Sequence, residues 1–250
     1  MNATAKPSPL LGRFLVLCAV IFMSLPCSLR SEEALKEQSD LNATEPGPLE
    51  AAKQDKPWLI TPTLSADPKL GANVGALIAY LKRLDAESTP SMAGLSISYS
   101  DTDSSTAAAF SQLYWSADTR RLSLLAATAE INNEYDDFLG TGQAVKTQGN
   151  VHTYGFRYLR QLREGGWFGG IQGISTNYAV GADGLLEGLM TQVGLAGFDA
   201  TGLGLVFQHD TMNHQRDPSA GHLFTLHNFA YRESLGGESS FDVGFADLRW

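Results

Sequence analysis

Cysteine is scarce in this chain, which has two cysteines among 250 residues. Both Cys18 and Cys27 fall in or beside an N-terminal apolar run typical of a secretory leader, so the exported part has no disulfide or thiol chemistry. Basic residues are also few, with 18 Lys and Arg against 27 Asp and Glu. Nucleic acid repels a chain with this negative charge and no basic patch, so we exclude nucleic-acid binding.

Residues 1–31 are expected to be a signal peptide. Lys6 and Arg13 precede the apolar run 14–25, which has no acidic residue and is too short to span a bilayer as a helix. The cleavage site stays open within residues 27–31, and the proline before Cys27 disfavours a lipoprotein site there. Without this leader, 15 Lys and Arg remain against 27 Asp and Glu, a formal charge of −12.

Residues 32–56 are expected to be a disordered periplasmic tether. The segment is charged and polar, contains Pro46, Gly47 and Pro48, and has few large apolar side chains that could form a core. It is also shorter than the usual folded domain. We therefore expect no separate domain between the leader and the rest of the chain.

Residues 57–250 are predicted to form about ten β-strands with turn residues between them. The predicted strands are residues 58–65, 72–84, 92–100, 107–115, 121–131, 151–162, 167–178, 202–210, 222–232 and 241–250. Their regular spacing is typical of an all-β barrel or sandwich. The segment 202–210 shows the strand pattern best, because Leu203, Leu205 and Phe207 alternate with glycine, valine and polar residues.

The two faces of the predicted strands favour a membrane barrel over a soluble sandwich. Between residues 152 and 160, aromatic residues alternate with small and polar ones: Tyr154, Phe156 and Tyr158 against Thr153, Gly155 and Arg157. This pattern suits a wall between lipid and a polar lumen. In the segment 167–178 we expect small and polar residues on the inner face, where a packed sandwich would not place them: Gly169, Gly173, Ser175 and Asn177. A secreted β-sandwich is the alternative.

Aromatic residues near the predicted strand ends indicate interfacial girdles, although aromatic residues are common in any strand. These residues are Trp58, Tyr80, Tyr99, Tyr114, Trp115, Tyr135, Trp167, Tyr178, Tyr231 and Trp250.

A polar turn near the C-terminus carries the most specific motif. Asp210, Asn213, Pro218 and Gly221 follow an apolar strand that starts Gly-Leu-Gly-Leu, and a second strand, a Gly-Gly loop and a third strand come after them. This arrangement resembles the bacterial surface antigen domain of the Omp85 superfamily, the barrel of BamA/TamA-type outer-membrane proteins. Weaker similarities lie at residues 62–75 and 138–142, and the resemblance covers about residues 57–250.

The resemblance implies an antiparallel transmembrane β-barrel in the cell outer membrane of a Gram-negative bacterium, with the 210–221 turn facing the periplasm. It also implies insertion or translocation of client outer-membrane proteins, through a weak seam between the first and last strands. Outer-membrane lipid and such clients would be the partners. The family's barrels have sixteen strands, a lid loop and periplasmic repeat domains, whereas this sequence predicts ten strands and a short tether. The ten strands either belong to a sixteen-stranded barrel or close a narrow barrel alone.

The four motif residues are expected to have structural roles. Pro218 fixes its φ angle and Gly221 can adopt a positive φ. Asp210 and Asn213 have short side chains of the kind that bond nearby backbone amides in turns.

No catalytic, cofactor or metal site is predicted. Several histidines lie near acidic residues, but their spacing fits no zinc pattern: His209, His214, His222 and His227, beside Asp210 and Asp217. No serine lies in a nucleophile elbow. A passive pore or scaffold barrel is therefore the first alternative to an assembly role, and a lipid-acting barrel enzyme is the second. The segment 182–193 is either a small helix or a strand extension.

Overall fold

The computed structural model describes residues 57–67, 71–135, 145–182, 197–215 and 218–250. These residues form ten β-strands: β1 (Trp58–Asp67), β2 (Gly71–Lys82), β3 (Ser91–Ser100), β4 (Ser105–Trp115), β5 (Arg120–Tyr135), β6 (Val145–Arg163), β7 (Trp167–Ala182), β8 (Gly197–Asp210), β9 (Leu223–Tyr231) and β10 (Phe241–Arg249). A single 3₁₀ turn, Glu233–Leu235, lies between β9 and β10. Within the described ranges, no helix is long and apolar enough to cross a membrane.

All ten strands belong to one sheet, in which each strand pairs antiparallel with the next. The predicted all-β, antiparallel, ten-stranded organisation is therefore confirmed. Strand β6 is longer than predicted, because its polar first residues pair with the end of β5 through the backbone. Among the described strands, β1 and β10 form no ladder with each other, so the sheet has two edges.

One face of the sheet, here called the inner face, holds the buried side chains, and many of these are polar. The buried polar residues on this face of the strands are Ser100, Thr147, Thr153, Gln172, Thr176, Gln208, Asp210, Thr225 and His227. The outer face carries most of the large apolar residues, such as Leu205, which is 67% exposed. A water-soluble sandwich has the opposite distribution, with apolar residues on the buried face.

The predicted faces of β7 are wrong. Phe168, Gln172, Ile174 and Thr176 are buried, and the glycines and polar residues expected there share the outer face with the exposed Ile171. These outer glycines make room for large side chains of the neighbouring strands. A Cβ at Gly173, for example, would lie 2.9 Å from a methyl group of Leu203, and one at Gly169 would lie 2.8 Å from a methyl group of Leu162.

The alternation predicted in β6 and β8 agrees with the structure. Tyr154 is exposed on β6 while Thr153 is buried. On β8, Leu203, Leu205 and Phe207 are exposed, whereas Val206, Gln208 and Asp210 are buried. The large apolar side chains of β8 therefore face outward, although the sequence alone does not say which face is covered.

Apolar packing on the inner face is concentrated in β7–β10. Ile174, Ala200, Phe229 and Tyr231 form one buried cluster, and aromatic residues of β10 pack against it. The rings of Tyr231 and Phe241 are stacked with centroids 4.5 Å apart. In contrast, every described side chain of residues 57–65, on β1, is exposed. Enclosure of the inner face is thus least at β1 and greatest in β7–β9.

Candidate functional site

A buried ion pair connects two strands that are not neighbours. Arg121, near the start of β5, donates from Nη1 to Oδ2 of Asp210 at the end of β8, at 2.5 Å. The guanidinium carbon of Arg121 also lies 3.9 Å from the ring centroid of Phe168 on β7. Because β6 and β7 separate β5 from β8, this pair spans the concave inner face of the sheet. The sheet must curl strongly for the two side chains to meet.

Asp210 also organises the turn that follows it. Its Oδ1 accepts from the backbone N–H of Met212 at 3.0 Å, and its Oδ2 accepts from Nε2 of Gln215 at 2.8 Å. The backbone N–H of Asp210 donates to the carbonyl of Gly166, in the β6–β7 turn, at 2.8 Å. The residue therefore joins two turns to β5, whereas the sequence predicted a local role.

The other motif residues lie in the same β8–β9 turn. Oδ1 of Asn213 accepts from the backbone N–H groups of Ser219 and Ala220 at 3.1 and 3.2 Å. Gly221 has a φ of 106°, and a Cβ there would overlap the carbonyl oxygen of Thr211. Pro218 is exposed beside them. Asp217, the segment 138–142 and residues 183–193 lie outside the described residues.

A polar network fills part of the inner face. Arg157 Nε donates to Gln172 Oε1 at 2.9 Å, and Gln172 Nε2 donates to the carbonyl of Asn228 at 2.9 Å. The same amide nitrogen lies 3.0 Å from Nδ1 of His227. Because an amide nitrogen only donates, Nδ1 accepts and the ring proton of His227 is on Nε2. That nitrogen is 3.4 Å from Oδ2 of Asp247, an ion-pair distance without hydrogen-bond geometry.

This network interrupts the ladder between β8 and β9. The carbonyl of Asn228 accepts from Gln172, and the side-chain oxygen of Asn228 accepts from the N–H of Leu205 at 3.0 Å instead. Gly204 and Leu205 are consequently missing from the β8–β9 pairs. Only glycine fits at position 204, because a Cβ there would overlap the carbonyl oxygen of Asn228.

A cavity of about 40 Å³ lies beside the network and is lined by Arg157, Gln208, Leu223, Thr225, Asp247 and Arg249. Within the described structure, Arg157 Nη2 and Gln208 Oε1 have no hydrogen-bond partner. A cavity of this size holds a few water molecules at most, whereas pockets for small organic ligands are roughly ten times larger. The arrangement supports a hydrated polar interior and offers no room for an organic substrate.

Two histidines whose spacing fits no zinc pattern meet beside the β8–β9 turn. His222 Nε2 lies 3.0 Å from His209 Nδ1. The outer nitrogens are also engaged, His209 Nε2 with the carbonyl of Gly165 at 3.1 Å and His222 Nδ1 with Oγ1 of Thr211 at 3.0 Å. His227 belongs to the interior network instead. The described residues contain no group of three or more His, Cys, Asp or Glu that could hold a metal ion.

Outer-face aromatic residues meet at one end of the sheet. The pairs are Trp58 and Tyr80 with ring centroids 4.9 Å apart, Trp115 and Tyr158 at 6.2 Å, and Trp167 and Phe207 at 5.3 Å. This end also carries the β2–β3, β4–β5, β6–β7 and β8–β9 turns. Two other aromatic residues predicted to lie in the girdles are not part of this group. Tyr231 is buried on the inner face, and Tyr99 lies at the opposite end of the sheet.

Two turns at the aromatic end contact each other. The carboxylate of Asp85 accepts from the backbone N–H of Ser116 at 2.7 Å, and Asp118 accepts from the N–H of Thr89 at 2.8 Å. A hydrogen bond from the Ser88 side chain is the main cause that lowers the pKa of Asp85. These contacts tie the β2–β3 and β4–β5 turns together outside the sheet.

Charged residues and histidine on the outer face are confined to its two ends. On β5, Arg120 and Glu130 flank Leu122, Leu124, Ala126 and Thr128. On β6, His152 and Arg160 flank Tyr154, Phe156 and Tyr158. At the aromatic end the limits of the two strands coincide, because the ladder pairs Arg120 with Arg160. At the other end they differ by two residues, because His152 pairs with Thr128 and Glu130 pairs with Asn150. We call the uncharged region between these limits the outer band.

No protein-family model matches this chain, and no curated protein is similar enough to match it. The resemblance to the surface antigen domain therefore stays a prediction from the sequence.

Proposed function

We propose that this protein is a non-enzymatic outer-membrane β-barrel protein of the BamA/TamA type that takes part in inserting or translocating other outer-membrane proteins. The membrane part of the proposal is carried by one observation, the outer band. The assembly part comes from the sequence resemblance and from the state of β1.

The height of the outer band suits an outer membrane. Arg120 and Glu130 are ten residues apart, which is about 33 Å along an extended strand. A strand tilt of about 40° reduces this to about 25 Å along the membrane normal, the usual height of the apolar band in outer-membrane barrels. A polar face behind such a band is also expected, because the lumen of these barrels is polar.

The aromatic end of the sheet supports an orientation. Trp58, Trp115 and Trp167 lie where the outer band ends, and tryptophan and tyrosine favour the membrane interface. If the N-terminal tether is periplasmic, this end faces the periplasm together with the β8–β9 turn.

The state of β1 supports a role in assembly. Its described residues are exposed on both faces, and one of its edges has no partner strand among the described residues. An unpaired strand edge is a template for pairing with another strand. A client strand that pairs with β1 would use the seam between first and last strands that the resemblance implies.

A passive scaffold barrel is the second candidate. The inner face of β7–β10 is filled by the buried residues Phe229 and Tyr231 and by the network around Gln172, which is itself buried. This filling favours a scaffold over a conducting pore. Absence of single-channel conductance would agree with it.

Two experiments test the proposal in sequence. We expect the full chain, expressed in a Gram-negative host, to fractionate with the outer membrane and to resist extraction by urea. Recovery as a soluble periplasmic protein would contradict the membrane part. We then expect liposomes containing the protein to accelerate folding of an urea-unfolded outer-membrane protein relative to liposomes with an unrelated passive barrel. Equal rates would contradict the assembly role and favour the scaffold.

A further inference from the structure

We propose that His209 and His222 form a two-nitrogen site for a divalent copper or nickel ion beside the β8–β9 turn. The inference rests on the geometry of the two imidazoles and does not depend on the proposed function. His222 is exposed and His209 is half-buried, so an ion can reach the pair from solvent.

The separation of the two facing nitrogens fits a single metal ion. His209 Nδ1 and His222 Nε2 are 3.0 Å apart. Two nitrogens at about 2.0 Å from one ion, with the angle of about 90° that tetragonal copper and nickel prefer, lie about 2.8 Å apart. The tetrahedral angle of zinc would separate them by about 3.3 Å. The observed 3.0 Å lies between these two values and is nearer to the first, so we assign the pair to copper or nickel.

Hydrogen bonds on the far side of each ring orient the facing nitrogens. His209 Nε2 must donate to the carbonyl of Gly165, which can only accept, and this leaves a lone pair on Nδ1. The ring of His209 is also held by stacking on Trp167, with centroids 4.0 Å apart. Metal-binding histidines commonly have such a partner for the second nitrogen, because it fixes the tautomer and the ring orientation.

The ring of His222 can also direct a lone pair at the metal ion, from Nε2, without losing a proton. His222 Nδ1 and Oγ1 of Thr211 are 3.0 Å apart, and the Thr211 hydroxyl is also 3.1 Å from the carbonyl oxygen of His222. When no metal is bound, His222 donates from Nε2 to His209. When the ion binds, the His222 proton moves to Nδ1 and is donated to Thr211, whose hydroxyl turns to the carbonyl. Both facing lone pairs are then available.

The protein supplies two ligands, and water completes the coordination. Within the described residues no third His, Cys, Asp or Glu joins the pair. We therefore expect reversible binding rather than a structural metal, and a change in the β8–β9 turn rather than in the whole fold.

Copper titration of the untagged full chain in detergent micelles tests the inference. We expect one Cu²⁺ per chain and an electron paramagnetic resonance spectrum with hyperfine coupling to two nitrogens. His209→Ala and His222→Ala should each lower the affinity by about tenfold or more and leave at most one coupled nitrogen. The matched control is His214→Ala, because His214 is an exposed histidine of the same turn. The copper affinity of the His214→Ala protein should stay within about twofold of that of the parent protein.

Two results would overturn the site. One is unchanged copper affinity in both His209→Ala and His222→Ala, and the other is loss of binding in His214→Ala. His222→Gln provides a second test if His209→Ala fails to fold, since it retains a polar side chain in the exposed turn while removing the imidazole. Two-nitrogen coupling that persists in a folded His222→Gln protein would also contradict the proposal.

Discussion

Gly221 and Gly236 have similar positive φ angles in different surroundings. Their φ angles are 106° and 98°, but a Cβ would overlap the carbonyl of Thr211 at the first position and meet nothing within 4 Å at the second. We expect Gly236→Ala to lower the free energy of unfolding by about 1–2 kcal/mol, because alanine must adopt the positive φ angle. Gly221→Ala should cost about 3 kcal/mol or more, because the backbone must also move.

Urea unfolding of the two glycine variants in detergent micelles measures the difference between their unfolding free energies directly. Gly244→Ala is a control for the loss of a glycine as such, since Gly244 has no neighbour within 4 Å and no positive φ. Equal losses at positions 221 and 236 would show that the Thr211 carbonyl does not constrain the turn.

The residue types in the β8–β9 turn allowed the local roles of these residues to be predicted, but not the distant residues that they contact. The short side chains of Asp210 and Asn213 predict bonds to nearby amides, and such bonds occur at Met212 and Ser219. The ion pair with Arg121 could not be predicted, because 89 residues separate the two positions and only the curl of the sheet brings them together. The contact of the two histidines likewise depends on the long β8–β9 turn.

At the scale of the strands, the pair of Arg121 and Asp210 links β5 to β8 across the inner face. The two side chains are 12% and 2% exposed, so each would leave a buried charge behind if its partner were removed. We expect either single alanine variant to lose about 3–5 kcal/mol of unfolding free energy. A double-mutant cycle should give a coupling of about 1.5–3 kcal/mol.

Arg232 and Asp242 form the matched control pair. They connect the residue after β9 to β10 at 2.8 Å, but their side chains are 40% and 67% exposed. Screening by water limits the coupling of such a pair to about 1 kcal/mol or less. Similar couplings in the two cycles would contradict a special role for the bridge between β5 and β8.

The strands themselves were predictable because alternation has a period of two and turn residues mark its interruptions. Predicting which face is buried was harder. On β8 the large apolar side chains lie on the outer face. On β7 the outer face carries glycine beside tryptophan and isoleucine. Face composition misleads there because Gly173 serves the neighbouring Phe156 and Leu203 side chains, which a single strand cannot reveal.

For the whole molecule, the decisive question is whether lipid or water covers the outer band. Leu124 lies near the middle of the band on β5 and is 44% exposed, and Glu130 lies at its edge on the same face. If lipid covers the band, Leu124→Arg should lower the free energy of unfolding by about 2–4 kcal/mol, and Glu130→Arg should lower it by about 0–1 kcal/mol. Refolding into bilayers followed by denaturant titration measures both.

A water-covered outer face predicts a different result for the same pair of variants. Substitutions at an exposed position in water usually change stability by about 0.5 kcal/mol or less. A Leu124→Arg protein as stable as the parent would therefore remove the basis for the membrane proposal, whatever the result at position 130.

The difference in enclosure between β1 and β7–β9 gives the sheet an uneven stiffness. β1 can leave by losing one ladder and little buried surface, because its side chains are exposed on both faces. β8 and β9 cannot separate without uncovering Phe229, Tyr231 and Gln172, which are almost completely buried. Local opening free energies follow such differences in buried contacts. Thermal fluctuations should therefore be largest at the N-terminal edge and smallest around β7–β9, so that one margin of the molecule is compliant while the opposite part stays rigid.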